Sequence, residues 1–261
     1  MQQARLMLHT GAATATIDQV RAVATPPRTD SWVPIPHGRL VDGVERSLES
    51  VGLHVVTAAH GLARDGQRYF GLLQVAQGDQ SDDFGLVVGV RNSHDKSFPA
   101  ALALGATVFV CDNLSFSGEV KLARKHTTYI ERDLPVLVSR ALGRLTDLRH
   151  SQERRFIAYK EQRLSDSQVN DVVIQALDAR VLPVTRIPDV LKEWRQPAHE
   201  AFGDKTAWRL FNGFTEVLKG CLDRLPLRTT ALHGILDATC GLVVPQVQQV
   251  IDAEAHLAHA V

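Results

Sequence analysis

The 261-residue sequence contains only three cysteines, Cys111, Cys221 and Cys240. An odd and widely spaced set of cysteines does not suit a disulfide framework and indicates a reducing compartment. No uninterrupted apolar run reaches the roughly 20 residues that cross a bilayer as a helix. The N-terminal MQQARLMLHTG also lacks the cationic start and long apolar core of a signal peptide. The sequence therefore predicts a cytoplasmic protein with no membrane partner.

The chain also has no net charge, because 29 Lys and Arg residues balance 29 Asp and Glu residues. A global attraction to nucleic acid or to an anionic membrane is therefore not expected. The charge is nevertheless uneven, since residues 121–163 hold eleven Lys or Arg and five Asp or Glu, a local charge of +6 against −6 elsewhere. This basic stripe, residues 121–163, predicts a local surface that attracts anions.

Three common site motifs are missing from the sequence. There is no GxxxxGK[ST] phosphate loop, no GxGxxG dinucleotide motif and no zinc-finger spacing of Cys and His. Nucleotide hydrolysis by a phosphate-loop enzyme, Rossmann-type dinucleotide binding and a structural zinc site therefore have no sequence support. We accordingly predict neither a cofactor nor a metal.

The hydrophobic pattern predicts an α+β fold. Apolar residues at helical spacing over 40–51 predict a helix, because the intervening residues are mostly charged. Segments 53–59, 68–76 and 84–90 are rich in β-branched and aromatic residues and predict strands. Short connections between successive strands favour an antiparallel sheet, and the 40–51 helix is expected to cover it.

The pattern is mixed after residue 96 and becomes helical after Arg132. A short helix is expected over 97–104 and a strand over 106–111, and 119–127 is either a strand or an irregular hairpin arm. One long amphipathic stretch over about 133–164 predicts an extended helix.

The rest of the chain is predicted to be helical. The pattern over 205–222 is strongly that of a helix, and a final short helix is expected after Val243. These assignments divide the chain into an α+β core, residues 1–164, and an all-helical region, residues 165–261, that packs on the core.

The turn Arg91-Asn92-Ser93-His94-Asp95-Lys96-Ser97 places seven polar residues at the end of a predicted buried strand. Loops at strand ends are where binding sites are commonly built, so the turn is a candidate for binding a phosphate or a base edge. Alternatively it is only a tight turn, since Asn, Ser and Asp side chains bond the nearby backbone. His94 and Asp95 are also candidates for an acid/base pair.

Cys111 ends the next apolar run, with Asn113 two residues later and His126 fifteen residues beyond Cys111. A cysteine nucleophile with a histidine base is chemically sensible. A lone cysteine at the end of an apolar run is more commonly a small buried hydrophobe. An enzyme that uses Cys111 with His126, or His94 with Asp95, is therefore an alternative hypothesis.

Arg124-Lys125-His126-Thr127 is the sharpest basic cluster, and it leads into an arginine-rich helical segment. Arg140 and Arg144 are four residues apart and would share a helix face. The functional interpretation is a surface that follows a phosphate backbone, and the structural one is a solvated helix face. Candidate stacking groups nearby are Tyr129, Phe156 and Tyr159.

Several segments together resemble a known family. RNSHDKSFPAALALGATVFVCDNLSFSG and the later ARKHT are similar to the domain-of-unknown-function family numbered 932, which contains phage- and plasmid-associated proteins. TAWRLFNGFTEVL at 206–218 resembles its helical back segment, and WVPIPHGRLVDGVERSLESVGL at 32–53 resembles its front helix. The family typically has glycine after N-S-H-D, where this chain has Lys96. The resemblance implies a mobile-element context, and with it DNA metabolism or host defence, but no activity.

A helix, an antiparallel meander and a basic helix are also reminiscent of ring-forming single-strand annealing proteins, by analogy of fold. The leading hypothesis is a non-enzymatic protein that binds or anneals single-stranded nucleic acid, as a homo-oligomer. Besides an enzyme, a further alternative is an interaction module whose helical region binds a host protein. The expected phosphate contacts are Lys121, Arg124, Lys125, Arg140 and Arg144, and the residues expected to shape the adjacent turn are Asn92, His94 and Asn113.

Overall fold

The computed structural model of the protein describes residues 12–76, 84–108, 113–218, 225–243 and 249–252. In these residues most of the sheet comes from the N-terminal half of the chain and most of the helices come from the C-terminal half. The predicted α+β class is therefore confirmed.

The strands of the sheet lie side by side in the order in which they occur along the chain. The first six pair antiparallel with their sequence neighbours, and the last pairs parallel with the sixth. The strands are β1 (Ala13–Ala15), β2 (His54–Ala63), β3 (Arg68–Ala76), β4 (Phe84–Ser93), β5 (Ala100–Val108), β6 (Asn113–Arg124) and β7 (Gln249–Asp252).

Two of the helices in the described residues lie between β1 and β2, and the others lie between β6 and β7. They are α1 (Ile17–Ala22), α2 (His37–Ser50), α3 (Ile130–Leu142), α4 (Leu145–Glu161), α5 (Asp166–Asp178), α6 (Ile187–Arg195), α7 (Ala207–Val217) and α8 (Leu225–Thr239), with 3₁₀ turns at Val184–Arg186 and Glu200–Phe202. Helix α2 packs against β2 and β4, as expected for the predicted covering helix. Within the described ranges, no helix is long and apolar enough to cross a membrane.

Side-chain alternation along the strands places one face of the sheet against the hydrophobic core. Leu73 of β3 lies opposite Val88 of β4, which lies opposite Leu104 of β5. Directly opposed residues share one face of a sheet, and all three are fully buried. They belong to the same hydrophobic cluster as Val44 and Leu48 of α2. The large-residue face of the sheet is therefore its core face.

The predicted helix over 97–104 is wrong, because residues 100–108 form strand β5. Alanine favours helices, but Leu102 and Leu104 alternate with alanines and lie opposite the buried Val90 and Val88. Cross-strand burial therefore overrides the local helix preference.

Two further predictions about elements are corrected by the structure. The helix expected over about 133–164 is two helices, since α3 ends at Leu142, before the helix-disfavouring Gly143, and α4 begins at Leu145. Residues 249–252, within the predicted final helix, form strand β7 instead. Its β-branched Val250 and Ile251 pair with β6, which local periodicity could not reveal.

The hydrophobic cluster extends from the sheet into the helices. It includes Leu122 of β6, Phe156 of α4, Val172 of α5, Phe211 of α7 and Leu236 of α8. The rings of Phe156 and Phe211 lie 5.8 Å apart, a favourable distance for an aromatic pair. Residues from both halves of the chain thus bury their apolar side chains together.

A buried ion pair joins α4 to α8 inside this cluster. Arg155 Nε donates to the two carboxylate oxygens of Asp237 at 3.2 and 3.0 Å. The Tyr159 hydroxyl donates to Asp237 Oδ1 at 2.7 Å. Burial, together with the charge of Asp237, raises the pKa of Tyr159 well above its ordinary value, so the hydroxyl keeps the proton that it donates.

Candidate nucleic-acid interface at one end of the sheet

One end of the sheet gathers three chain connections. β2 ends and β3 begins at this end, β4 ends and β5 begins beside them, and β6 ends next to β5. Residues 24–36, which have no regular secondary structure, lead from α1 to α2 past this end. We call residues 24–36 the strap.

Hydrogen bonds hold the strap to the ends of β4 and β6. The backbone N–H of Val33 donates to the carbonyl of His126 at 3.0 Å, just after β6. The Ile35 carbonyl accepts from Asn92 Nδ2 at 2.7 Å and from His94 Nε2 at 2.9 Å. Asn92 and His94 of the predicted polar turn therefore bind the strap, and both are buried.

His37, the first residue of α2, completes this attachment. Its Nε2 lies 2.9 Å from the Gly66 carbonyl, so this nitrogen carries the proton, and its Nδ1 accepts from Asn92 Nδ2 at 2.9 Å. Its ring stacks on that of His94 with 3.8 Å between centroids. Burial, with a smaller contribution from His94, lowers the pKa of His37 to about 4. His37 is therefore neutral at physiological pH, as its hydrogen bonds require.

His126 is the third buried histidine at this end. Its Nδ1 donates to the Val33 carbonyl at 3.3 Å. Its Nε2 and Asn92 Oδ1 are buried acceptors without a hydrogen-bond partner in the part of the chain that the structure describes. Burial lowers the pKa of His126 and of His94, so both rings are largely neutral near pH 7.

The catalytic candidates lie in different surroundings. Asp95 accepts from Arg68 Nε at 2.6 Å and from the backbone N–H of Ser97 at 3.1 Å, so its charge is compensated. His94 instead uses Nε2 to bind the strap. Cys111 lies outside the described residues, and its pairing with His126 stays a prediction.

Arg124 does not present its charge to solvent as the sequence suggested. It is 7% exposed, and its Nη2 donates to Asp133 at 2.6 Å, linking the end of β6 to α3. Arg132 Nε donates to the other carboxylate oxygen of Asp133 at 2.8 Å. A phosphate could bind Arg124 only after this buried pair was opened.

The other predicted phosphate contacts are scattered. Lys125, Arg140 and Arg144 are exposed. Arg140 and Arg144 do not share one helix face, because α3 ends at Leu142 and Arg144 precedes α4. Lys121 and Asn113 belong to β6, but their side chains lie outside the described part of the structure.

Three aromatic rings at this end of the sheet each lie beside a cation. Lys96 Nζ is 4.9 Å from the centre of the Trp32 ring. Arg91 Cζ is 5.2 Å from the centre of Phe98, and Arg132 Cζ is 4.6 Å from the centre of Tyr129. We call these three rings the aromatic rim: Trp32, Phe98 and Tyr129.

The rim rings are accessible to different degrees. Tyr129 is 59% exposed, and Trp32 and Phe98 are half-buried. Of the predicted stacking groups, only Tyr129 reaches the surface, because Phe156 and Tyr159 are at most 2% exposed. The sequence reasoning missed Trp32 and Phe98. The available signals were that Trp32 directly precedes the proline-containing VPIP and that Phe98 directly follows the polar turn.

Among the described residues, two of the three cations have no compensating carboxylate. Arg132 shares Asp133 with Arg124. Arg91 and Lys96, by contrast, form no ion pair with any residue that the structure describes, and both are exposed. Their charges are therefore available to an anion beside the rings of Phe98 and Trp32.

The backbone at Lys96 is unusual for a residue with a side chain. Its φ is +62°, in the left-handed region that glycine adopts most readily. A glycine would adopt this φ without the steric cost of a Cβ. The Asp95 carboxylate stabilises the turn by accepting from Ser97 N and Oγ.

Comparison with known proteins supports the resemblance. The family model described as Domain of unknown function (DUF932) matches residues 27–229. Because the match covers most of the chain, the protein belongs to this family. No curated protein and no solved structure matches the chain.

Proposed function

We propose that this member of the DUF932 family binds single-stranded nucleic acid at the aromatic rim and acts in annealing or recombination, as a homo-oligomer. Bases would stack on Trp32, Phe98 and Tyr129, and phosphates would contact Arg91 and Lys96. The observation that carries the proposal is the placement of two cations against aromatic rings at one end of the sheet, both without an ion pair among the residues that the structure describes. A mobile-element context, which the resemblance implies, agrees with such a role.

The chemistry favours a single strand over a duplex. Stacking of a base on an aromatic side chain contributes about 1–3 kcal/mol and does not depend strongly on the base. The bases of a duplex are stacked on one another and cannot reach the rim, so only the phosphate contacts would remain. Binding to the duplex should therefore be weaker and depend on charge alone.

The direct test is fluorescence anisotropy with labelled oligo-dT and with the corresponding duplex, each titrated at low and at moderate salt. We expect tighter binding of the single strand, with an affinity that falls as salt rises because counterions are released from the phosphates. If neither nucleic acid binds at low salt, the proposal is wrong.

Two matched double variants locate the binding surface. Arg91→Ala with Lys96→Ala removes the cations of the rim, and Arg140→Ala with Arg144→Ala removes the same number of charges from the basic stripe. Loss of two phosphate contacts should lower the salt slope for a single strand by about 1.4. We expect this change in the rim variant. The same change in the stripe variant alone would place the contacts on the helices instead.

A second candidate function is an enzyme with His126 as general base. The observation that favours it is the buried Nε2 of His126, which has no partner among the described residues, while Nδ1 is held by the Val33 carbonyl. Selective alkylation of Cys111 at neutral pH that is lost in His126→Ala would support it. Labelling of Cys111 only after denaturation would exclude a Cys111 nucleophile.

A further inference from the structure

We infer that Lys96 and Trp32 act as one unit that binds a single nucleotide, with the base stacked on the indole and the adjoining phosphate held by the ammonium group. This inference rests on the proposed function and deepens it by naming the pair that recognises the nucleotide. It makes Lys96 different from the other cations of the rim, because its effect on binding depends on Trp32.

The conformation of Lys96 is the first observation. A residue with a Cβ in the left-handed region is strained relative to glycine, so glycine would make this turn more stable. The turn is held by hydrogen bonds of Ser93, Asp95 and Ser97, and no hydrogen bond of the Lys96 side chain is among them, although its φ is +62°. A strained residue is a reason to look for a role of its side chain. That side chain lies over Trp32.

The pairing of the neighbouring charges is the second observation. Asp95, the nearest acidic residue in sequence, is bound by Arg68 Nε at 2.6 Å. Lys96 forms no ion pair among the described residues. Its ammonium group thus lies against the Trp32 ring, and a phosphate can replace this cation–π interaction with a stronger, charge-assisted one.

The anchoring of Trp32 is the third observation. Its neighbour Val33 donates from N–H to the His126 carbonyl at 3.0 Å, and Thr128 Oγ1 donates to the Asp30 carbonyl at 3.2 Å. The Trp32 ring itself lies 6.2 Å from the His126 ring. Hydrogen bonds therefore fix the backbone before and after Trp32, whereas the exposed side chain of Lys96 can move.

Binding would exchange one partner for another at each group. The base takes the ring face over which Lys96 Nζ lies, and Nζ moves to the phosphate of the same nucleotide. Both groups gain a partner in a single binding event. Removing either side chain should therefore lower the contribution of the other to the binding free energy. Arg91 and Phe98 need not be coupled to them.

A double-mutant cycle tests this coupling, using oligo-dT and an abasic strand of equal length. The variants are Trp32→Ala, Lys96→Ala and the double variant, with Arg91→Ala as the matched control cation. We expect Trp32→Ala and Lys96→Ala each to weaken oligo-dT binding by about tenfold, and the double variant by clearly less than a hundredfold. Arg91→Ala combined with Trp32→Ala should be multiplicative. On the abasic strand, Trp32→Ala should have little effect.

Lys96→Gly and Lys96→Arg separate binding from folding. Lys96→Gly should bind as weakly as Lys96→Ala but unfold at a higher urea concentration than Lys96→Ala, because glycine relieves the strain. Lys96→Arg should retain binding and its salt dependence. A loss of binding in Lys96→Arg equal to that in Lys96→Ala would count against the inferred phosphate contact.

The outcomes for the two proposals are distinct. If wild-type protein binds oligo-dT but Lys96→Ala binds equally well, or if the effect of Lys96→Ala is independent of Trp32, the nucleotide unit is wrong. Single-strand binding then stands, with Arg91 as the phosphate contact wherever Lys96→Ala has no effect. If wild-type protein binds no nucleic acid, the proposed function and this inference both fail.

Discussion

Lowering the pH from about 7.5 to about 5 is expected to destabilise the protein through His37. The folded protein holds this ring neutral, since Nε2 donates to the Gly66 carbonyl and Nδ1 accepts from Asn92. A proton on Nδ1 would face the Asn92 amide donor and the stacked ring of His94. The neighbouring charge of a protonated His126 would oppose it further.

The magnitude follows from the difference in pKa between the two states. The ordinary histidine pKa of 6.5 applies to the unfolded chain, and burial lowers the folded value to about 4. Between these values the unfolded chain binds a proton that the folded protein does not, so the free energy of unfolding falls as the pH falls. His37 alone accounts for about 2 kcal/mol of loss by pH 5 and about 3 kcal/mol by pH 4.

Urea unfolding at the two pH values, followed by circular dichroism, measures this effect. His37→Gln should lose about 2 kcal/mol less stability than wild type over the same pH change. His54→Gln is the matched control, because His54 is exposed at the start of β2. Buried His94 and His126, whose pKa values burial also lowers, should leave a residual dependence of the same sign. Equal pH dependence in wild type and His37→Gln would refute the reasoning.

Two further predictions concern the buried polar groups. Asp133→Ala leaves Arg124 buried without its carboxylate and should lower the free energy of unfolding by about 3–5 kcal/mol. Arg132→Ala removes only the exposed partner and should lower it by about 1 kcal/mol or less. Equal losses for the two variants in urea unfolding would contradict the buried pair. Tyr159→Phe removes the hydroxyl that donates to Asp237 and should cost about 1–2 kcal/mol. A variant as stable as wild type in the same assay would show that this hydrogen bond contributes nothing.

Part of the fold follows from local patterns alone. The residues of α2 show a clear helical period, and Arg68–Ala76 shows the β-rich composition of a strand with the bounds that were predicted. In such segments, the face that is buried in the folded protein is already apolar in the sequence. The predictions are wrong where the local sequence pattern and the burial in the folded protein disagree. Ala100–Val108 is rich in alanine, and only pairing with β4 makes it a strand.

The candidate site could also be predicted only in part from the sequence. The polar turn was correctly identified as the feature at a strand end, but its members have different roles: Asn92 and His94 hold the strap, and Lys96 lies over Trp32. Trp32 is 64 residues from Lys96 in the chain. No local period connects the two, because their contact depends on the path of the strap past the end of the sheet.

The sequence by itself determined the α+β class, the antiparallel order of the first strands and the uneven distribution of charge, because each depends on composition and short-range periodicity. Only the tertiary structure decided which charges are available. Arg124 and Arg91 look alike in the sequence, yet Arg124 is buried against Asp133 and Arg91 lies exposed on Phe98. The reason is physical: Asp133 is only nine residues from Arg124 in sequence, but it reaches Arg124 because the chain turns between β6 and α3, and no local pattern shows which charges such a turn brings together.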